Sequence, residues 1–128
     1  MKKIMAILAL GLALTGCKKE HAKSAELVEP AAFYTAVKQD GVQVIDVRTP
    51  EEYNSGHIAN AVNIDINEND FAQRLDSLDK DKAVYVYCRS GGRSAKAVDM
   101  LKAKSFTNII ELNGGIEAWQ KAEKPVEN

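Results

Sequence analysis

The 128-residue chain is poor in cysteine, histidine and net charge, and each shortage excludes something. Two cysteines and two histidines are too few for a structural zinc cluster, so no metal is expected. A formal net charge of −1 leaves no broad basic face, so nucleic acid is not an expected partner. No apolar run reaches the roughly 20 residues that a membrane-spanning helix needs. No internal repeat is visible. What remains is a composition of 45% apolar and 27% charged residues, which suits one ordinary globular domain.

The first residues do not belong to that domain. Lys2 and Lys3 precede an almost wholly apolar stretch, Ile4 to Leu14, too short to span a membrane. This is the layout of a secretory signal peptide. Its end, Leu14-Thr15-Gly16-Cys17, resembles the lipobox of bacterial lipoprotein precursors. That resemblance implies removal of residues 1–16 and a diacylglycerol thioether on Cys17. Lipid chains would then hold the domain at a bacterial membrane, in the cell envelope and facing the periplasm. Losing Lys2 and Lys3 takes the formal charge from −1 to −3. Residues 17–24 (C-K-K-E-H-A-K-S) are polar after the cysteine and read as a tether. On this reading Cys88 is the one free thiol, in an oxidising compartment, and no disulfide forms within the chain.

Residues 25–124 form the domain. Strand-like and helix-like segments alternate from Ala25 onward. Strands are predicted at Glu26–Val28, Val42–Val47, Ala61–Ile64, Ala83–Tyr87 and Ile109–Leu112. Helices are predicted from Pro30 to about Gln39, from Thr49 to about Gly56, and over Asp70–Leu78, Ala95–Lys104 and Ile116–Lys121. Thr49-Pro50-Glu51-Glu52 carries a capping-box signature, with Thr49 as cap and Glu52 at the third helical position. Glu68, Asp70, Asp76 and Asp79 read as a solvated face. Residues after Lys124 are expected to fray. The alternation predicts an α/β fold with a central parallel sheet of about five strands and helices on both faces. In such sheets ligands bind beyond the carboxyl ends of the strands. That rule singles out Arg48-Thr49 and the segment from Cys88 to Arg93.

Cys88-Arg89-Ser90-Gly91-Gly92-Arg93-Ser94 joins a buried strand to a helix. Consecutive glycines let the backbone fold tightly and point several N–H groups inward. The following helix adds its own N-terminal N–H groups and dipole. Arg89 and Arg93 add formal charge. Such surroundings favour a nucleophilic thiolate without a neighbouring general base. A thiol used only for packing has no need of the two glycines and two arginines.

At these residues the chain resembles a single-domain rhodanese homology domain. C-R-S-G-G-R-S is similar to that family's active-site loop. V-I-D-V-R-T-P-E-E-Y-N-S-G-H-I (Val44 to Ile58) is similar to its upstream signature, and N-G-G-I-E-A-W (Asn113 to Trp119) to its downstream one. The resemblance covers about residues 25–122. It implies that Cys88 forms a persulfide and that the amides of Arg89, Ser90, Gly91, Gly92 and Arg93 bind the sulfur anion. It implies that Asp46 supports the loop from the neighbouring strand end. Arg48, Glu52 and His57 match positions read as structural, and Gly114, Gly115 and Trp119 match packing positions.

The implied reaction is sulfur transfer. Cys88 would take sulfane sulfur from thiosulfate or a persulfide donor and pass it to a thiol, cyanide or a protein acceptor. No cofactor is required. One rival is a phosphatase, because a related fold hosts dual-specificity phosphatases. That chemistry needs a loop one residue longer than the four residues between Cys88 and Arg93. A second rival, from a different class, is a non-catalytic carrier or partner-binding module. The family includes such domains when the cysteine is missing.

Overall fold

The computed structural model describes residues 25–128. The expected signal peptide, the expected lipidation site Cys17 and the expected tether lie outside the described residues. Five strands alternate with five helices: β1 (Glu26–Val28), α1 (Pro30–Val37), β2 (Gln43–Asp46), α2 (Pro50–Ser55), β3 (Ala61–Asn63), α3 (Phe71–Arg74), β4 (Val84–Tyr87), α4 (Gly92–Ala103), β5 (Ile109–Leu112) and α5 (Gly115–Lys121). The strands form one sheet in the order β1-β5-β4-β2-β3. Every pairing is parallel. The fold class is the α/β architecture expected from the sequence.

The order matters for function. From β2 the chain moves outward to β3, and from β4 it moves outward the other way to β5. The direction of winding therefore reverses between β2 and β4. The crevice beyond their carboxyl ends is the favoured ligand site of an open parallel sheet. Arg48 and Cys88 follow those two ends.

Side chains alternate across the sheet, so the core has two halves. One half packs Ile45, Val47, Phe71, Leu75, Val84, Val86, Ala97 and Leu101 between the sheet and the α3–α4 side. Cys88 belongs to this half. The other packs Phe33, Val37, Val44, Tyr87, Leu112 and Trp119 on the α1–α5 side. There Phe33 meets Tyr85, Tyr87 and Trp119 edge-on. The period of two in a strand thus sends Tyr87 and Cys88, adjacent in sequence, to opposite faces.

Three expectations need correction. Asp70–Leu78 is not one helix: α3 ends at Arg74 and a 3₁₀ turn follows at Leu75–Ser77. Phe71 and Leu75 are buried as the spacing required. Helix α4 starts at Gly92, not Ala95, so the last residues of the glycine loop are the helix's first turn. The C-terminus is not frayed. The Trp119 indole N–H donates to the Pro125 carbonyl at 2.9 Å. His57 and Glu127 exchange two backbone hydrogen bonds of 2.8 Å. Val126 packs into the second half of the core.

Candidate active site

Strand β4 delivers Cys88 to the sheet's carboxyl end, where its side chain is 1% exposed. The Gly91 N–H donates to its Sγ at 3.1 Å and the Ser94 N–H at 3.3 Å. Both amides belong to the entry of α4, so the positive end of a 12-residue helix also faces the sulfur. Two N–H donors and a helix end favour negative charge on that atom. Of the loop amides named from the sequence, Gly91 is on the sulfur. Ser94, its partner there, was not among the residues expected to bind.

Gly91 has φ +129°, a conformation that other residues rarely adopt. Gly92 has an ordinary φ and open space around its Cα. The two glycines are therefore unequal, although the sequence presents them as a pair. Gly91→Ala is expected to cost about 1–3 kcal/mol and to misdirect the amide that holds Sγ. Gly92→Ala should stay within about 0.5 kcal/mol of wild type. Urea denaturation of the two variants checks this, and equal losses would contradict it.

Helix α5 shapes the loop from the other side. The Ile116 N–H donates to the Cys88 carbonyl at 2.9 Å and the Glu117 N–H to the Arg89 carbonyl at 3.0 Å. A Cβ on Gly115 would lie 2.3 Å from the Arg89 carbonyl oxygen, so only glycine allows this approach. This is the physical content of the N-G-G-I-E-A-W signature. It turns the carbonyls of Cys88 and Arg89 toward α5.

The arginines of the loop are both engaged. Arg93 places Nη1 2.8 Å and Nη2 3.0 Å from the two carboxylate oxygens of Glu52 on α2. Arg89 pairs with Glu117 on α5 at 2.8 Å, with both side chains well exposed. Such an exposed pair is worth little, so an incoming anion can displace it. Ser90 is exposed at the loop's tip. Arg48, Glu52, Arg89, Ile116, Glu117 and Gln120 line an open cleft beside the loop.

Glu52 has two jobs. It closes the predicted capping box with Thr49, and it anchors Arg93. The Arg93 hydrogen bonds, helped by the Thr49 amide and hydroxyl, outweigh burial and pull its carboxyl from 4.5 to about 2. A lowered carboxyl stabilises the fold fully above its unfolded value and loses that contribution on acidification. Wild type should therefore lose its advantage over Glu52→Gln as pH falls from 4.5 to about 2. The advantage at neutral pH should be about 1–2 kcal/mol, given partial exposure of the pair. Denaturation curves across that range check the sign. An advantage that grows on acidification would contradict it.

Asp46 makes no hydrogen bond to residues 88–94. Its buried carboxylate accepts from the Arg48 guanidinium at 2.7 Å and from the Tyr87 hydroxyl at 2.6 Å. Any support for the loop therefore runs through Tyr87, the residue before Cys88. Burial and the Asp46 charge push the Tyr87 phenol far above its ordinary value. Arg48 also donates to the Gly56 carbonyl, tying β2 to the end of α2. His57 is stacked on Tyr53, with ring centroids 3.8 Å apart, and its Nδ1 lies 3.1 Å from the Tyr53 carbonyl. Its contacts are those of a packing residue. Among the described residues, no three His, Cys, Asp or Glu side chains come together as a metal site.

Cys88 is thus cradled by α4 amides at the point where the winding of the sheet reverses. The Rhodanese-like domain family matches residues 29–122. The chain belongs to the rhodanese-like family. It is 40% identical over 77 residues to an uncharacterized protein of Bacillus subtilis, covering 60% of each chain. It is 35% identical over 110 residues to thiosulfate sulfurtransferase 16 of Arabidopsis thaliana, covering 75% of this chain and 92% of that one. A rhodanese-related protein of Thermoplasma volcanium superposes with a TM-score of 0.70 at 34% identity, covering 80% of this chain and 97% of that one. Other relatives are longer: the chain spans 40% of a tRNA uridine(34) hydroxylase of Pelagibacter ubique. Rhodanese-like relatives thus include sulfurtransferases and a tRNA hydroxylase.

Proposed function

We propose that this protein is a sulfurtransferase that carries sulfane sulfur as a Cys88 persulfide, with thiosulfate or a persulfide as donor. One observation carries the reading: the Gly91 and Ser94 amides at the α4 entry both point at Sγ. In the first half-reaction the Cys88 sulfur attacks the donor's outer sulfur. The donor's S–S bond breaks, and its electron pair leaves on sulfite when the donor is thiosulfate. The persulfide anion then lies within the amide cradle. In the second half a thiol, cyanide or protein acceptor attacks the outer sulfur, and the electron pair of that bond returns to Sγ. This is covalent catalysis with ping-pong kinetics. Arg89, freed from Glu117, would meet an anionic donor at the cleft.

Thiosulfate:cyanide turnover tests the reading, with Cys88→Ser as control. Turnover by wild type and baseline activity in the variant support it. A folded wild type inactive with every sulfane donor would sink it. The geometry of Arg93, turned to Glu52, also argues against a phosphate-wrapping loop.

The lipobox supports a second part of the proposal: Cys17 is acylated and holds the domain at a bacterial membrane. Wild type should then label with a fatty-acid probe and sediment with membranes. Cys17→Ala should do neither. Undiminished labelling in that variant contradicts the anchor.

A further inference from the structure

The amide cradle favours negative charge on Sγ with no base touching it, but the Cys88 thiol proton must still pass to an acceptor. The two amides at Sγ are donors and cannot take it. His57 is stacked on Tyr53 and bonded to its carbonyl. Asp46 is occupied by Arg48 and Glu52 by Arg93, and the Glu117 carboxylate makes no hydrogen bond to the Cys88 or Ser94 side chain.

Ser94 offers a route within the protein. It is fully buried, and its Oγ lies 3.5 Å from Sγ. The same Oγ lies 2.7 Å from Oε2 of Glu111 on β5 and 3.2 Å from the Gly91 carbonyl. A hydroxyl has one proton, and the short charge-assisted bond to Glu111 takes it. The Oγ lone pairs are then left to accept from the thiol S–H. The result is a chain from Sγ–H through Oγ–H to Oε2.

Glu111 itself is unusual. It interrupts an apolar strand, Ile109-Ile110-Glu111-Leu112. Its register partners are apolar on both sides, Val86 on β4 and Leu27 on β1. Its carboxylate is linked to Ser94 at the α4 entry and through it to Cys88, which follows β4, and Arg93 on that helix is already held by Glu52. Among the described residues it forms no ion pair.

We infer that Glu111 is a proton-positioning residue that accepts the Cys88 thiol proton through Ser94 during sulfur loading. The inference rests on the sulfur-transfer reading of Cys88. When Sγ attacks the donor, its S–H bond breaks and the electron pair forms the new S–S bond. The thiol proton passes to Oγ while the Ser94 proton passes to Oε2. The products are Cys88 persulfide anion, neutral Glu111 and, from thiosulfate, sulfite. On unloading, Sγ regains the electron pair of its S–S bond and recovers the proton by the reverse path. Cys88 and Glu111 together then carry one negative charge at every stage. A persulfide anion is never formed beside a charged carboxylate.

The test is the rate of sulfur loading from thiosulfate, followed by intact mass, in wild type, Glu111→Gln and Ser94→Ala. Glutamine can still accept the Ser94 hydroxyl bond but cannot take the proton. Loading by Glu111→Gln at neutral pH should fall roughly 10²-fold with little change in the thiosulfate concentration needed for half-maximal rate. The deficit should close at alkaline pH, where solvent hydroxide removes the thiol proton directly. Ser94→Ala should show the deficit at neutral pH, since it breaks the same chain. Loading of Glu111→Gln at the wild-type rate overturns the inference. So does a deficit equal at all pH values, which marks a merely structural role. A wild type that takes up no sulfur would instead strike the sulfur-transfer reading itself.

Discussion

Asp46→Ala is expected to destabilise the domain by about 3–5 kcal/mol, much of the stability of a chain this size. Asp46 is wholly buried, and Arg48 is 5% exposed. The carboxylate accepts the Arg48 Nε at 2.9 Å, its Nη2 at 2.7 Å and its backbone N–H at 3.0 Å. It also accepts the Tyr87 hydroxyl. Alanine leaves a buried guanidinium with the Gly56 carbonyl as its remaining partner, and a buried phenol with no acceptor. An uncompensated buried charge is the costly outcome; a well-packed apolar pair is not. The double replacement Asp46→Leu with Arg48→Met should therefore be more stable than Asp46→Ala alone. Urea midpoints check both. A loss below about 1 kcal/mol in Asp46→Ala would show that the carboxylate is not what holds the buried Arg48 guanidinium and Tyr87 hydroxyl in place.

The elements read most clearly from the sequence were those with local causes. The capping box at Thr49 and Glu52 formed with both halves present. The five strands appeared close to their predicted limits, because each is a short apolar run bounded by polar or turn residues. The expectation that failed at the C-terminus failed for a non-local reason. Nothing in Pro125 to Glu127 advertises that Trp119 and His57 will hold them. The break at Leu75 is similar: its apolar spacing suits a helix, but the chain tightens into a 3₁₀ turn there.

The site was legible in part. Cys88 and the glycine loop stood out because a packing thiol needs neither Gly91 nor a helix start. Ser94 did not, because its amide turns onto Sγ only when α4 starts at Gly92, and Glu111 did not, because it reaches Ser94 only once β5 lies parallel to β4. A signal was present: a lone acid within the apolar run Ile109 to Leu112. On a strand paired on both sides, such a half-buried charge needs a partner. Likewise the roles of Arg93 and Glu52 become visible only when α2 and α4 are side by side.

The central claim is that Cys88 accepts sulfur. Incubating the folded protein with thiosulfate, removing the excess and recording the intact mass tests it most directly. Wild type should gain about 32 Da, one sulfur atom bound covalently at the thiol. Cyanide should remove the added mass as the sulfur passes to the acceptor. Cys88→Ser should gain nothing while keeping its fold, since serine is nearly the same size. A wild-type mass unchanged by thiosulfate and by persulfide donors, or an adduct that survives in Cys88→Ser, would contradict the account.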